Sequence, residues 1–292
     1  MDMEEIRNCS TPQVMGILNI NNESFFQGSR HTALEEVDKA FGNMIAMGAD
    51  IVDIGACSTR PGSTPVTEEQ EWEYLKEPLK LIAGKYMQDG ADLELSGRKI
   101  KISIDTFRSE IVRRAYDILG SLIVNDISAG EDDPMMLGTV GELGLPYIAM
   151  HKKGTPSTMQ QMCHYPNGVV NEVAAYFGEF EQRAAKYGIK EYIMDPGFGF
   201  AKDLGQNYEL FNGIPHLVQK VEESTGKRRE ILVGISRKGM IWKPLGITPD
   251  DALCGTVALN LQALMLGADI IRVHDVAEAV QCVKLWKLLT KK

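Results

Sequence analysis

The sequence predicts an eight-stranded α/β barrel, and three observations support that fold class. Eight short apolar runs recur along the 292 residues, as buried parallel strands do. Each run ends in a polar, chemically capable residue, which is where such a barrel builds its active site. The stretches between runs are long enough for a helix, and no low-complexity linker divides the chain. We therefore expect a single (β/α)8 TIM-barrel domain over residues 1–292.

The elements follow from the apolar pattern in chain order. The predicted strands are 14–19, 49–54, 100–104, 121–125, 146–150, 191–194, 230–234 and 270–273. Amphipathic spacing predicts helices over 33–47, 169–187, 251–266 and 276–289. Several helices are expected to end at a glycine, at Gly48, Gly120, Gly144, Gly188 and Gly267. The polar segment 88–99 predicts an exposed connection before the third strand.

Four connections after strands are long and rich in small polar residues, which is typical of functional loops. They are 20–31, 55–67, 151–166 and 235–249.

Composition restricts the functional class. A net charge of -9 argues against a nucleic-acid surface, although a local cationic cluster can still bind an anion. No apolar run approaches the length of a membrane span, and the N-terminus lacks the pattern of a signal peptide. The five cysteines are odd in number and form no CxxC pair, so neither disulfides nor zinc are expected. These features favour a soluble cytoplasmic enzyme without a membrane or nucleic-acid partner.

Cationic and amide side chains gather at the predicted strand ends and could bind an anion such as phosphate. They are Asn19, Arg60, Arg237, Lys238, Arg272 and His274. Barrel closure would bring them to one rim, whereas the competing interpretation leaves each of them separately solvated.

Asp105, Asn125 and Asp195 suit a nitrogen-rich ring, because carboxylates accept hydrogen bonds from an amidine-like edge and an amide both donates and accepts. Two alternatives stay open at this point. The aspartates could pair internally with Lys238 and Arg237, or they could ligate a metal. The spacing gives weak support to a tight zinc site, whereas a loosely held Mg²⁺ shared with substrate phosphates is compatible with it.

Residues 195–202 (DPGFGFAK) do not have the spacing of a dinucleotide-binding loop. Phe200 could form the wall of a site for a flat substrate, whereas Phe198 is expected to pack in the core. Of the histidines, His151 and His274 follow strands and are the site candidates. The GxSxG motif of serine hydrolases is absent.

Eight motifs in order resemble the dihydropteroate synthase family, covering about residues 14–275. They are MGILN (15–19), STRPG (58–62), IDT (104–106), VNDIS (124–128), MHKKGTPSTMQ (150–160), DPGFGFAK (195–202) with Asn207, ISRKGMI (235–241) and IRVHD (271–275). The combination of SRK and RVHD separates this family from related corrinoid methyltransferases.

The resemblance implies the condensation of 6-hydroxymethyl-7,8-dihydropterin diphosphate with p-aminobenzoate, in a Mg²⁺-dependent homodimer that is the target of sulfonamides. It implies a pterin slot at Asp105, Asn125, Asp195 and Lys238, and diphosphate binding by Thr59, Arg60, Arg272 and His274. It further implies a metal ligand at Asn19 and a p-aminobenzoate site at Pro61, Phe200 and Gly239. The catalytic groups would be Asp105, Asp195, Lys238 and Arg60.

The chain departs from the family pattern in three loops. Residues 21–28 read NNESFFQG rather than TPDSFSDG, so Asn21 and Asn22 stand at the start of the loop and Gln27 replaces an acidic residue. Cys57 precedes STRPG where glutamate is usual, and Gly239 replaces a serine that helps to hold the p-aminobenzoate carboxylate. Two rival functions follow. One is a methyltransferase-like pterin barrel, and the other is a catalytically weakened pterin-binding homologue.

Overall fold

Eight parallel strands close into a barrel that is surrounded by helices. In the computed structural model, which describes residues 11–20, 30–56, 66–87, 93–95, 97–155 and 158–290, the strands follow the order β7-β6-β5-β4-β2-β1-β9-β8. A parallel bridge between Met194 and Ile231 joins the two ends of this order. The predicted (β/α)8 barrel is therefore confirmed. Residues at both chain ends lie outside the described ranges, so the domain bounds 1–292 stay a prediction.

The strands are β1 Gln13–Asn19, β2 Ile51–Gly55, β3 Leu93–Leu95, β4 Arg98–Asp105, β5 Ile123–Asp126, β6 Tyr147–Met150, β7 Tyr192–Asp195, β8 Leu232–Val233 and β9 Ile270–Val273. The helices are α1 Arg30–Met47, α2 Glu68–Tyr86, α3 Ser109–Leu119, α4 Met136–Leu143, α5 Val169–Lys186, α6 Leu204–Asn212, α7 Ile214–Thr225, α8 Gly239–Leu245, α9 Leu253–Met265 and α10 Val276–Thr290. Short 3-10 helices cover Met159–Gln161 and Asp250–Ala252. None of the helices in the described part of the chain is long and apolar enough to cross a membrane.

The helices predicted from amphipathic spacing are present, and their ends follow the predicted chemistry. Gly120, for example, has a φ of 70° and donates its N–H to the carbonyl oxygen of Tyr116, which caps α3. The stretch 235–249 differs from the prediction, because the helix α8 lies inside this expected loop.

Within the described part of 88–99, Glu94, Gly97 and Lys99 are exposed as expected, but the segment contains a strand that the sequence did not predict. The strand β3 pairs antiparallel with β4, and Gly97, with a φ of 74°, lies in the turn between them. Leu93 is buried with 1% of its surface exposed and packs in the core of the protein. The fourth strand accordingly begins at Arg98 rather than at residue 100.

The lower part of the barrel interior is an apolar layer contributed by six strands. Its buried residues are Met15, Ile51, Ile123, Ile148, Leu232 and Ile270. Because successive side chains of a strand alternate between its two faces, a residue two positions further along shares the face of the first. Asp53, Asn125 and Arg272 each stand two positions after a member of this layer. This alternation therefore places the three polar side chains directly above the apolar layer, towards the C-terminal end of the barrel strands.

Candidate active site

An arginine lies between two carboxylates in the mouth of the barrel. Nε of Arg272 donates to Oδ2 of Asp53 at 2.7 Å, and its Nη2 donates to Oδ2 of Asp105 at 2.6 Å. Nδ2 of Asn125 donates to the same Asp53 oxygen at 3.0 Å. Four strands thus contribute to one hydrogen-bonded cluster, whose most buried member is Asp53 with no exposed surface. We call these four residues the Arg272 cluster.

Strand register explains why these residues meet. Gly55 is paired with Asp105, which is in turn paired with Asn125 on the next strand. A Cβ atom at Gly55 would lie 3.0 Å from the Cβ of Asp105, so the absence of a side chain there leaves room for the carboxylate. The other oxygen of Asp53, Oδ1, is buried and has no hydrogen-bond partner among the described residues. A buried acceptor of this kind is costly unless a ligand or water satisfies it.

The cluster is electrostatically unusual. Burial raises the pKa of Asp105 to about 7, while the charge of Arg272 acts in the opposite direction. Burial by itself would lower the pKa of Arg272, but the carboxylates of Asp53 and Asp105 raise it above its ordinary value. The arginine therefore stays charged, whereas Asp105 titrates near neutral pH.

Asp195 and Lys238 form the opposite side of the mouth. Oδ1 of Asp195 accepts the backbone N–H of Gly197 at 2.8 Å, and burial raises the pKa of this carboxyl against the attraction of Lys238. Burial also lowers the pKa of Lys238 to about 8. Nζ of Lys238 donates to the carbonyl oxygen of Phe198 at 2.6 Å and lies 5.0 Å from the ring centre of Phe200.

The two phenylalanines of the motif have the environments that the sequence predicted. Phe198 has no exposed surface and packs on Phe211, with ring centres 6.0 Å apart. Phe200 is only partly buried, beside Lys238 at the mouth. Phe198 therefore serves the core and Phe200 is available to a ligand.

His274 is oriented by Ser236, a residue to which the sequence assigned no role. The serine Oγ lies 3.0 Å from Nδ1 of His274 and accepts the backbone N–H of the same histidine at 3.2 Å. The serine hydrogen can bond to Nδ1, and in that tautomer of the neutral imidazole the ring hydrogen is on Nε2. The SRK motif was the signal for this contact.

Two expectations are corrected by the contacts. Arg237 does not join an anion-binding rim, because its guanidinium makes two bonds of 2.9 Å to Asp275 and donates to the carbonyl oxygens of Pro249 and Asp250. The proposed internal pairing of Arg237 with an active-site aspartate is therefore wrong. The cation that pairs with Asp105 is Arg272.

Asp53 orients its neighbours, because it accepts hydrogen bonds from both Arg272 and Asn125. Asp126 has a comparable local role, since it accepts bonds from Ser128, Gly130 and the hydroxyl of Tyr147.

Asn19 and Gly239 flank the mouth. Asn19 ends β1, is exposed and is paired in register with Gly55. No group of three or more histidine, cysteine or acidic side chains in the described ranges could hold a metal. A loosely held Mg²⁺ is still compatible with these residues, because this ion keeps most of its waters and takes few protein oxygens. The amide oxygen of Asn19 is an oxygen ligand of the kind that Mg²⁺ binds. Gly239 is the first residue of α8, where Lys238 is the N-cap.

Other expected site residues lie outside the described residues. They are Thr59, Arg60 and Pro61, together with Asn21, Asn22, Gln27 and Cys57 in the departing loops. Their expected roles stay predictions.

His151, a site candidate from the sequence, forms a buried pair with Lys202, to which the sequence assigned no role. Nζ of Lys202 lies 3.0 Å from Nδ1 of His151, and both residues are almost fully buried. Burial and the nearby Lys202 charge lower the pKa of His151 well below its ordinary value, so the imidazole is neutral.

The model of the family described as pterin binding enzymes matches residues 15–274. The chain belongs to the pterin-binding enzyme family. Dihydropteroate synthase of Escherichia coli K12 is 37% identical over 278 residues, which cover 94% of this chain and 91% of that protein. A dihydropteroate synthase of Xanthomonas albilineans solved with 4-aminobenzoic acid has a TM-score of 0.82 at 32% identity, covering 97% of this chain and 94% of that one. The synthase of Yersinia pestis, solved in a sulfonamide drug complex, has a TM-score of 0.82 at 30% identity, covering 99% and 96%.

This pterin-binding enzyme is a transferase of folate biosynthesis with dihydropteroate synthase activity. The resemblance and the activity predicted from the motifs are both confirmed.

Proposed function

We propose that the mouth of the barrel joins 6-hydroxymethyl-7,8-dihydropterin diphosphate to p-aminobenzoate, giving 7,8-dihydropteroate and diphosphate. The observation that carries this assignment is the Arg272 cluster, in which acceptors that suit a pterin lie beside a permanent cation that suits a diphosphate.

The pterin slot would consist of Asp105, Asn125, Asp195 and Lys238, as the motifs suggest. The assignment of these four residues to the pterin slot is supported by their hydrogen-bonding chemistry. Two carboxylates on different strands can accept the N–H groups of an amidine-like edge, while Asn125 and Lys238 can donate to ring acceptors. The Arg272–Asp105 bond would have to loosen when the ring arrives, whereas Asp53 would keep hold of the arginine from below.

The diphosphate would be bound by Arg272 and His274, with Thr59 and Arg60 as further predicted ligands. The contacts within the described residues use Nε and Nη2 of Arg272, so Nη1 can face an anion. When Ser236 donates to Nδ1 of His274, the ring hydrogen is on Nε2, and that N–H can donate to a phosphate oxygen.

Catalysis would be a dissociative displacement. The bond between the pterin methylene carbon and the diphosphate oxygen breaks, and positive charge spreads over the electron-rich ring. Asp105 and Asp195 would stabilise this cation, while Arg272 and His274 would stabilise the departing anion. The aniline nitrogen then attacks the methylene carbon and loses a proton. This step needs positioning more than a strong base, so no covalent enzyme intermediate is required.

Asn19 would be the protein ligand of Mg²⁺, which keeps its waters and substrate phosphates as its other ligands. When bound, the ion neutralises charge on the leaving diphosphate.

Phe200, Pro61 and the backbone at Gly239 would form the p-aminobenzoate site. The Xanthomonas albilineans relative was solved with this compound, and sulfonamide drugs, one of which the Yersinia pestis relative binds, would enter the same site.

A cytoplasmic homodimer is the expected state. Among the cysteines that the structure describes, Cys254 and Cys282 are free thiols, which agrees with a reducing compartment. Light scattering on the purified protein would give the oligomeric state, and a monomer at micromolar concentration would remove the dimer from the proposal.

The direct test combines the purified protein with Mg²⁺ and both substrates and measures dihydropteroate and released diphosphate. We expect both products in equal amounts. A protein that binds the pterin diphosphate but forms no dihydropteroate would be a weakened binding homologue, and the synthase assignment would be lost.

A further inference from the structure

The backbone of residues 197–200, which we call the GFGF loop, is tied down by two lysines. Nζ of Lys202 donates to the carbonyl oxygens of Gly197 and Phe200, both at 3.0 Å. Nζ of Lys238 donates to the intervening carbonyl of Phe198 at 2.6 Å. Three of the four carbonyl groups of the loop are therefore held by ammonium groups.

The surroundings of Lys202 match an ammonium ion. Its Nζ has three acceptors at 3.0 Å, namely two loop carbonyl oxygens and Nδ1 of His151. An ammonium has three N–H donors, so each can be satisfied. Lys202 is 3% exposed, and burial lowers its pKa to about 7 against the attraction of Asp195. Burying a lysine is unfavourable, and here the cost of its desolvation is offset by the three acceptors around its Nζ.

One residue next to the loop, Ala201, has an unfavourable backbone conformation and directly precedes Lys202, whereas the positive φ values within the loop are ones that glycine adopts readily. Gly197 and Gly199 have φ values of 70° and 84°, and the non-glycine residue Ala201 has a φ of 51°. A left-handed non-glycine residue is unfavourable and persists when surrounding contacts hold it. A side chain at Gly197 would overlap the carbonyl oxygen of His151, so the loop passes directly over the end of β6.

Phe200 is the residue whose position depends most on this restraint. The neighbouring Phe198 is fixed independently by its burial against Phe211. Phe200 is only partly buried, and the described contacts that place it are the bond from its N–H to the carbonyl oxygen of Gly197, the Lys202 bond to its own carbonyl oxygen and the approach of Lys238 to its ring.

We propose that Lys202, with His151 as its partner, is a positioning residue that sets Phe200 as the wall of the p-aminobenzoate site. The inference rests on the proposed placement of p-aminobenzoate against Phe200. It assigns to Lys202 an effect on the second substrate that is separate from pterin binding. The two pterin-slot residues that contact the loop, Asp195 and Lys238, bind the N–H of Gly197 and the carbonyl oxygen of Phe198, whereas Lys202 binds the carbonyl oxygens of Gly197 and Phe200.

The test is steady-state kinetics of Lys202→Met with each substrate varied, together with calorimetric titration of the pterin diphosphate. We expect KM for p-aminobenzoate to rise at least tenfold, while the Kd of the pterin diphosphate changes less than threefold. Lys152→Met is the matched control, since Lys152 is also buried at the end of β6 but pairs with Asp132. It should leave both constants unchanged.

Phe200→Ala separates failure of the inference from failure of the proposed function. If Phe200→Ala raises KM for p-aminobenzoate and Lys202→Met does not, the inference is overturned and the substrate placement stands. If Phe200→Ala has no effect, the placement itself is wrong. Equal increases for both substrates in Lys202→Met would also overturn the inference, because Lys202 would then support the whole mouth.

If Lys202→Met does not fold, Lys202→Gln retains N–H donors without the charge. It should raise KM for p-aminobenzoate at least threefold, and an unchanged value would overturn the proposal.

Discussion

Replacing Arg272 by methionine should destabilise the protein in a pH-dependent way. Methionine keeps an unbranched side chain but removes the cation that the carboxylates of Asp53 and Asp105 share. Their side chains are 0% and 16% exposed, so both would be left without a counter-charge in a low-dielectric environment. Removing one partner of a buried ion pair typically costs about 3–5 kcal/mol. We expect a loss of that size in the free energy of unfolding at pH 8.

The pH dependence follows from Asp105. A carboxyl with a higher pKa in the folded than in the unfolded state contributes stability that is lost as pH rises to the folded pKa. In the wild type this loss ends near pH 7, the pKa of Asp105. Without Arg272 that pKa rises further, so the loss continues to pH 8. Between pH 7 and pH 8 the variant therefore loses about 1.4 kcal/mol of stability that the wild type does not lose. The destabilisation of the variant relative to the wild type should be smaller by that amount at pH 6 than at pH 8.

The assay is urea unfolding of both proteins at pH 6 and pH 8, followed by circular dichroism. Arg237→Met is the matched control, because Arg237 also binds a carboxylate through two nitrogens but pairs with the single aspartate Asp275, whereas Arg272 is shared by two. It should lose less stability and show no comparable pH dependence. A loss below about 1 kcal/mol in Arg272→Met, or one that is equal at both pH values, would refute the reasoning.

Three further predictions concern the pterin slot and the GFGF loop. Asp195→Asn should weaken pterin diphosphate binding by about 10- to 100-fold, because hydrogen bonds to a charged group contribute about 1.5–3 kcal/mol; titration calorimetry measures this. Binding of the dihydropterin alcohol, which lacks the diphosphate, should fall about tenfold from pH 8 to pH 6, because protonation of Asp105, with its pKa of about 7, competes with the ligand. Gly197→Ala should cost at least about 2 kcal/mol in thermal or urea unfolding, because a Cβ there would overlap the carbonyl oxygen of His151 at a φ of 70°.

Each of these predictions has a control. An unchanged pterin affinity in Asp195→Asn would remove that residue from the slot. Asp105→Asn should abolish the pH dependence of dihydropterin binding, and a dependence that persists would assign it to another group. Gly205→Ala lies in α6, where the nearest atom to the added Cβ is 3.4 Å away, so its stability should be unchanged or slightly higher.

The barrel and the chemical class of its site could be read from local sequence patterns. The apolar runs fixed the parallel strands, and the polar residue at each run end named Asp105, Asn125, Asp195 and Arg272 as site candidates. These features depend on residues within one strand or one turn, because alternation and helix capping are local properties. The short strand β3 was not predicted from the local pattern, because Leu93 stands among mostly polar residues and is buried by tertiary packing.

The sequence by itself thus determined which side chains reach the mouth of the barrel and that they suit a pterin and a diphosphate. The tertiary structure decided which of them bind one another. Arg272 pairs with Asp53 over a separation of 219 residues, whereas Arg237, equally plausible from the motifs, turns to Asp275. The role of Lys202 likewise required the GFGF loop to fold back around its ammonium group. Partner choice depends on barrel closure and strand register, which bring together residues that no local pattern connects.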